Sequence, residues 1–514
     1  MDRDRCRVAI GSNTRPSRHR PHARWVVSLL AIVCVAVGSA GFTFAKNSPA
    51  VRPAASPPSG KWTNLGPAPE TSSEPTLLHI AHGRDMVLWE IATGPSTSTF
   101  KYAEIAQYGG LAAGITDMFA GHHWHTLIGD PTLLPYHGSP LLVFSGQRTL
   151  NRTDPLSAGC VVGALDTSSG WKLQSWSLSH DCDGAVGKYG GAAVDKNGTL
   201  SAAWASNGSG AINYRIGVAP TIPPTNLDSS IPITHGNIEL VDETNDSAGT
   251  NHFYAAWYRE FSTGSYHDGL YLADLTTGSA PKQAPGSGTT MEENAFESPA
   301  LASTLSHGGV YAAYCSNTSN CSKILLWRYG ARKAQAVPQS SGATVMALSG
   351  GPSGRLWVAW YNRSTSKVYT VRMNKADNRF GPVESYAVQG CTSDNDARIV
   401  ISGGLEQRLD VVLICVQSGN FKTYARSTQS ITGLSLDAST ATINDKKGGS
   451  VTYVATDAGD PVAGTTVSVD GRTAKTSSSG RVKFAFPKNA RPGRYTVTAT
   501  FADYYKATGS LRVD

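Results

Sequence analysis

The chain has 514 residues, more than one hydrophobic core serves, so two or three domains are expected. Charged residues make up only 16%, while Gly reaches 53, Tyr 20 and Trp 11, a composition of short strands and tight turns and not of amphipathic helices. The formal charge of +7 is concentrated in residues 1–45, which hold seven Arg and two Asp; the remaining 38 basic and 36 acidic residues nearly balance and exclude bulk electrostatic binding of nucleic acid.

The N-terminal segment, residues 1–45, is a signal peptide or a signal anchor. Arg3, Arg5, Arg7, Arg15, Arg18, Arg20 and Arg24 precede an uncharged run from Trp25 to Ala45. Positive charge before such a run sends the downstream chain across the membrane. Cleavage after Ala40 or Ala45 is one reading. Retention is the other, because 21 residues just span a bilayer. Both place the remainder outside the cytoplasm, secreted or anchored, with the membrane involved only through this segment. Residues 46–60 come next as a Pro/Ser/Ala linker.

Residues 61–428 read as a β-propeller. Seven apolar segments recur: MVLWEIA, LLVFSG, LSAAWAS, FYAAWYR, VYAAYCS, LWVAWYN and DVVLICV. Their anchors are Trp89, Phe144, Trp204, Trp257, Tyr314, Trp360 and Leu413, spaced 46 to 60 residues apart. A period near fifty residues marks a propeller of four-stranded blades. Seven blades is the expectation, with six or eight as alternatives. Slim Ala-Ala pairs before several anchors let sheets approach near the axis, and the anchor side chains fill the space between blades. Ring closure is expected from the N-terminal end: KWTNLG, Lys61 to Gly66, should supply the fourth strand of the last blade by pairing near Phe421 to Ala425.

Residues 429–514 break this period. LSLDAS, GGSVTYVATD, TTVSVDG, GRVKFAF, GRYTVTATF and GSLRVD alternate apolar and polar positions between turn signals, as a small sandwich requires. This stretch resembles bacterial immunoglobulin-like repeats of surface proteins, a resemblance carried by VTYVATDAGDPVAGTTVSVDG, TSSSGRVKFAF and PGRYTVTATFADYYKA. It implies a spacer or adhesive unit.

Of eight Cys, two lie in the leader. The others form local couples, and the clustering favours Cys160–Cys182, Cys315–Cys321 and Cys391–Cys415 as disulfides outside the cytoplasm. No C-x-x-C or Cys/His finger spacing supports a metal there.

Residues 61–428 also resemble the sialidase-like propeller superfamily in their P-x-L strand openings, D-x-N-G turns and A-A-W or V-A-W strands. VDKNGTLSAAW from Val194 is a relative of its S-x-D-x-G-x-T-W box. The Arg-Ile-Pro of sialidases is absent from the first blade, and Arg398-Ile399-Val400 stands in the last. The resemblance therefore implies the fold without the catalytic motifs.

The starts of innermost strands should gather at one mouth. Candidate ligand-binding residues there are Glu74, Asp130, Lys188, Tyr189, His235, Asn237, Glu297, Asp394 and Asp396. SEPTLL, GDPTLL and ESPALA place a carboxylate at the same repeat position, which predicts an acidic mouth. Paired carboxylates suit acid–base work on a glycoside or a hard cation such as Ca2+; equally, such residues cap turns. GHHWH, Gly121 to His125, invites a zinc reading, against which a packed Trp124 in a wet loop is the plainer one. No cofactor and no catalytic residue is otherwise indicated. The leading function is an exported or membrane-tethered protein binding a glycan or surface-protein ligand through the mouth. A glycoside hydrolase or lyase using mouth carboxylates is the alternative, and a structural surface protein the third.

Overall fold

The computed structural model describes residues 62–514, apart from 68–73, 81–83, 95–96, 107–109, 120–123, 150–159, 178–189, 206–211, 219–224, 229–237, 244–250, 260–268, 289–298, 305–308, 317–320, 352–353, 389, 392–396, 406–407, 418–419, 429–433, 503 and 505. The leader and linker expectations, and Cys182, lie outside the described residues. Among those described there is no helix, and so none long and apolar enough to cross a membrane.

Residues 62–428 form seven four-stranded antiparallel sheets. Sheet 1 runs Thr76–Ile80, Arg84–Gly94, Thr97–Ile105, Thr116–Asp117; sheet 2, Thr126–Tyr136, Ser139–Gln147, Cys160–Thr167, Gly170–Ser177. Sheet 3 runs Gly190–Val194, Leu200–Ala205, Ile212–Ile216, Thr225–Asp228; sheet 4, Ile238–Glu243, His252–Arg259, Gly269–Asp274, Lys282–Gln283. Sheet 5 runs Ala300–Ser303, Val310–Cys315, Ile324–Arg328, Gln335–Ala336; sheet 6, Val345–Gly350, Leu356–Asn362, Lys367–Arg372, Glu384–Ala387. Sheet 7 takes Arg398–Leu405, Arg408–Gln417 and Asn420–Thr428 from one end of this region and its fourth strand, Trp62–Pro67, from the other.

That fourth strand is the expected closure. Trp62 pairs with Arg426, Thr63 with Ala425 and Asn64 with Tyr424, then the register shifts and Gly66 meets Thr423. Gly66 has φ +99°, and its N–H donates to Asn64 Oδ1 at 2.8 Å, so the bulge is locally satisfied.

The first strands of the seven sheets contact one another in cyclic order, sheet 7 returning to sheet 1. Burial shows why the ring holds. Each seam has its own apolar cluster, and each cluster contains one anchor. Trp89 sits in the seam of sheets 7 and 1, Phe144 in 1 and 2, Trp204 in 2 and 3, and Trp257 in 3 and 4. Tyr314, Trp360 and Leu413 fill the next three. All seven anchors are buried. Side chains alternate along a strand, so one large residue at a fixed register always reaches the preceding sheet. The slim residues before it, such as Ala202, Ala203, Ala255 and Ala256, are buried completely.

Residues 434–514 form two further sheets. One joins Leu434–Ala438, Gly449–Asp457, Asp460–Pro461 and Arg481–Phe486; the other joins Thr442–Ile443, Ala507–Val513, Gly493–Thr500, Thr466–Val469 and Arg472–Lys475. Arg481–Phe486 alternates exposed and buried along its length, as a half-solvated strand should. Val451, Tyr453 and Phe484 from the first sheet share a core with Val467, Val497 and Leu511 from the second.

This unit docks on sheet 6 through buried charge. Asp457 receives Arg355 at 2.8 Å, Arg372, and the Tyr504 hydroxyl at 2.8 Å. Arg355 also reaches Asp460 at 2.9 Å. Arg355 Nη1 donates further to the Asp457 carbonyl at 3.3 Å. Burial lowers the Arg372 pKa, with Asp457 and Tyr504 pulling the other way. Burial first, then Asp457, push the Tyr504 hydroxyl up to about 12.

Two disulfides join Cys315 to Cys321 and Cys391 to Cys415, as the spacing predicted. They indicate an oxidising compartment and hence an extracellular protein. The Cys160–Cys182 pairing falls on residues outside the described side chains.

Candidate functional site

A cavity of about 190 Å³ lies among the starts of the first strands. Its walls come from five sheets: Glu74 to Leu77, Pro131 to Leu133, Pro299 to Leu301, Met346 to Leu348 and Ile399 to Ile401. Glu74, Thr76 and Thr132 stand among aliphatic residues in the lining, whose surface is as polar as it is apolar. Thr76 Oγ1 accepts the Leu133 N–H at 3.0 Å, which ties sheet 1 to sheet 2 at the wall. A compact group can enter it; anything larger must lie across the opening.

Strand register aligns the seven first strands with one another. The residue before each anchor pairs with Thr76, Thr132, Gly191, Glu239, Ala300, Ala347 or Val400. Two positions earlier in the sequence stand Glu74, Asp130, Tyr189, Asn237, Ser298, Val345 and Arg398. Four of the nine candidates, Glu74, Asp130, Tyr189 and Asn237, therefore occupy equivalent positions. Lys188 and Glu297 stand one residue before this row, and His235 and Asp396 two before it. Asp394 is further out still.

The equivalence expected for Glu297 needs correction. Pro75, Pro131 and Pro299 align by register, so the counterpart of Glu74 and Asp130 is Ser298, and Glu297 is offset by one. Of the candidates, Glu74 alone has a described side chain, and it lines the cavity. For Asp130 the description covers the backbone. Lys188, Tyr189, His235, Asn237, Glu297, Asp394 and Asp396 lie outside the described residues.

Arg398 is the residue that motif reasoning misses. It holds the row position in sheet 7, next to Glu74 of sheet 1 in the ring order, and is 6% exposed. Its Nη1 donates to the Ala397 carbonyl at 2.9 Å. A signal for it exists in the repeat: Leu413 is a weak anchor by type, but its position fixes the register that aligns Arg398 with Glu74.

At the opposite end of the sheets, His79, Asp85 and Asp410 bring three ligand atoms within 4.8 Å of one another across the seam of sheets 1 and 7. His79 Nδ1 lies 2.9 Å from Asp85 Oδ1. One imidazole and two carboxylates are ligands a divalent cation accepts. The His cluster near residue 122 is different. Trp124 is buried and meets Phe144 edge-on at 4.9 Å, in agreement with the packed reading; His122 and His123 lie outside the described residues.

No protein-family model matches the chain, and no curated protein matches it. Among solved structures, it is similar to polysaccharide lyase Uly1, with 9% identity over 69% of this chain and 89% of that one, at a TM-score of 0.42. The Dos1 propeller gives 12% identity over 71% and 95%, at 0.38. The Aleuria aurantia lectin complexed with Fucα1-6GlcNAc gives 9% identity over 82% and 97%, at 0.36.

Proposed function

We propose that the chain is an extracytoplasmic binding protein, a seven-bladed sialidase-like propeller that takes a glycan or surface-protein ligand at its mouth. Its C-terminal unit is an immunoglobulin-like sandwich. The observation that carries this reading is the axial cavity, where Glu74, Thr76 and Thr132 stand among aliphatic residues of the first strands of five sheets. Polar groups in such a wall orient a hydroxyl-rich ligand, and the aliphatic side chains between them give its ring faces something to pack on. Asp130, Tyr189, Asn237 and Arg398 are the further binding residues by register, with Lys188, His235, Glu297, Asp394 and Asp396 on the surrounding approach. Ca2+ is the alternative occupant of the carboxylate positions.

The dock at Asp457 supports the same orientation. It lies where Trp357 pairs with both Arg372 and Ser349, the end of sheet 6 away from the cavity. The sandwich thus leaves the mouth uncovered at that sheet.

The test is a glycan array and calorimetry with the full chain, its Glu74→Ala variant and its Arg398→Ala variant. Binding to a defined glycan class that weakens at least tenfold in Glu74→Ala supports the reading. An unchanged affinity in both variants would move the site elsewhere. Turnover of aryl glycosides that Asp130→Ala and Glu74→Ala abolish would replace it with the hydrolase alternative.

A further inference from the structure

His79, Asp85 and Asp410 meet at the seam where the ring closes, between sheet 1 and sheet 7. Strand pairing dictates the meeting. His79 and Asp85 are register partners on the first two strands of sheet 1, so their side chains leave the same face. Asp85 stands two residues before Val87, and Asp410 two before Val412. Val87 and Val412 share the apolar cluster of this seam. Alternation along each strand therefore turns both carboxylates into it, one from each sheet.

The other seams are built differently at this level. Asp85 stands four residues before its anchor, Asp410 three before its own. Four before the other anchors stand Pro140, Leu200, Phe253, Val310, Leu356 and Leu409; three before them, no charged residue stands. Where sheets meet, these positions pack together. Leu141 with Leu200, Tyr254 with Val310, Tyr311 with Leu356 and Trp357 with Leu409 each share one cluster. The closing seam departs from the repeat at both facing positions, and each time to a carboxylate. Two such departures that face each other beside an imidazole make a ligand set.

The geometry suits a metal. Ligand atoms of the three side chains lie within 4.8 Å of one another, and His79 Nδ1 is 2.9 Å from Asp85 Oδ1. Metal bonds of about 2.1 Å at right angles set neighbouring ligand atoms about 3 Å apart, so a cation replaces the proton between these two with little movement. Within the trio, protonation of His79 offsets one of the two carboxylate charges, and a divalent cation offsets both. Asp85 and Asp410 are 1% and 2% exposed, whereas the His79 side chain is 18% exposed and opens the way in for an ion.

We propose that His79, Asp85 and Asp410 bind a divalent transition cation, Zn2+ in preference to Mn2+, that clasps sheet 7 to sheet 1. The imidazole selects against Ca2+ and Mg2+, and the general affinity order places Zn2+ above Mn2+. Water completes the coordination. Because only the closed ring brings Asp410 to the other two ligands, the cation binds the folded chain and stabilises it.

The experiment titrates the chelator-treated full chain, in detergent, with ZnCl2, MnCl2 and CaCl2 by calorimetry and follows its thermal midpoint. A single strong Zn2+ equivalent and a midpoint that rises with Zn2+ concentration are expected. The Asp85→Asn/Asp410→Asn variant, equal in side-chain size, should bind Zn2+ at least about tenfold more weakly and lose the rise. The His122→Ala/His123→Ala/His125→Ala variant should keep both. Absence of Zn2+ binding overturns the proposal, as does tighter binding of Ca2+, or binding that survives in the Asp85/Asp410 variant. If that variant does not fold, oxidation of the unaltered chain by Cu2+ and ascorbate decides. Oxidation at His79 that excess Zn2+ suppresses upholds the site, and oxidation confined to other residues overturns it.

Discussion

At the scale of single residues, Asp457 is the charge on which the C-terminal unit turns. It is fully buried and is met by Arg355, Arg372 and Tyr504. Asp457→Ala leaves the buried Arg372 guanidinium without its carboxylate, Arg355 keeping Asp460, and breaking a buried pair in this way costs about 3–5 kcal/mol. Urea unfolding should show that loss in Asp457→Ala and a clearly smaller one in Arg355→Lys. Tyr504 predicts an alkaline limit. Its folded pKa is raised to about 12 from 10.0, so unfolding releases a proton that folding retains. That contribution is complete below pH 10.0, and declines as pH rises through about 12. Tyr504→Phe should flatten the fall in unfolding midpoint between pH 10.0 and about 12, while lowering stability near neutrality through its lost hydrogen bond.

At the scale of elements, the two disulfides close loops of different length. Cys315 and Cys321 are separated by 6 residues and Cys391 and Cys415 by 24. In the chain-entropy account the longer loop stabilises more, about 3 kcal/mol for a loop of this order. Replacing Cys391 and Cys415 together by Ser should therefore lower the thermal midpoint more than replacing Cys315 and Cys321. Calorimetry of both double variants decides. The strands themselves were legible because a large residue recurs at one register and fills one seam each time. Glu74 was legible because Pro75 marks the strand start. Arg398 was not, since it was read only against the Arg-Ile-Pro motif, and its alignment with Glu74 rests on pairing register. The dock was also hidden: Arg372 and Asp457 stand 85 positions apart, and neither belongs to a local pattern.

At the scale of the molecule, the ring is one cooperative body whose weakest topological point is sheet 7. Leu65 of the closing strand is buried with Trp89 and Val87 of sheet 1 and with Val412 of sheet 7. Removing Trp62–Pro67 exposes the third-strand edge Asn420–Thr428 and opens this cluster at once. The expected result is a broadened calorimetric transition with a lower midpoint and association of the opened chains in sedimentation. A variant retaining one sharp transition and a monomeric profile would show that sheet 7 does not need its N-terminal partner. The closing strand was legible because the last repeat lacks an outer segment; its bulge and exact pairing depend on Asn64 and Gly66, whose local hydrogen bond no periodicity reveals.

The same strand has a history in time. A ribosome makes Trp62 first and Arg426 only 364 residues later, and the two pair in the finished ring. At roughly 5–20 residues per second, that interval is about 20–70 seconds. Throughout it, the closing strand exists without its partner, able to join any other open edge it meets. Its brevity, its bulge at Asn64 to Gly66 and its terminal Pro67 each make it a poor template for such pairing. Features that look like imperfections in the completed sheet are the ones that keep the waiting strand uncommitted until its own partner arrives.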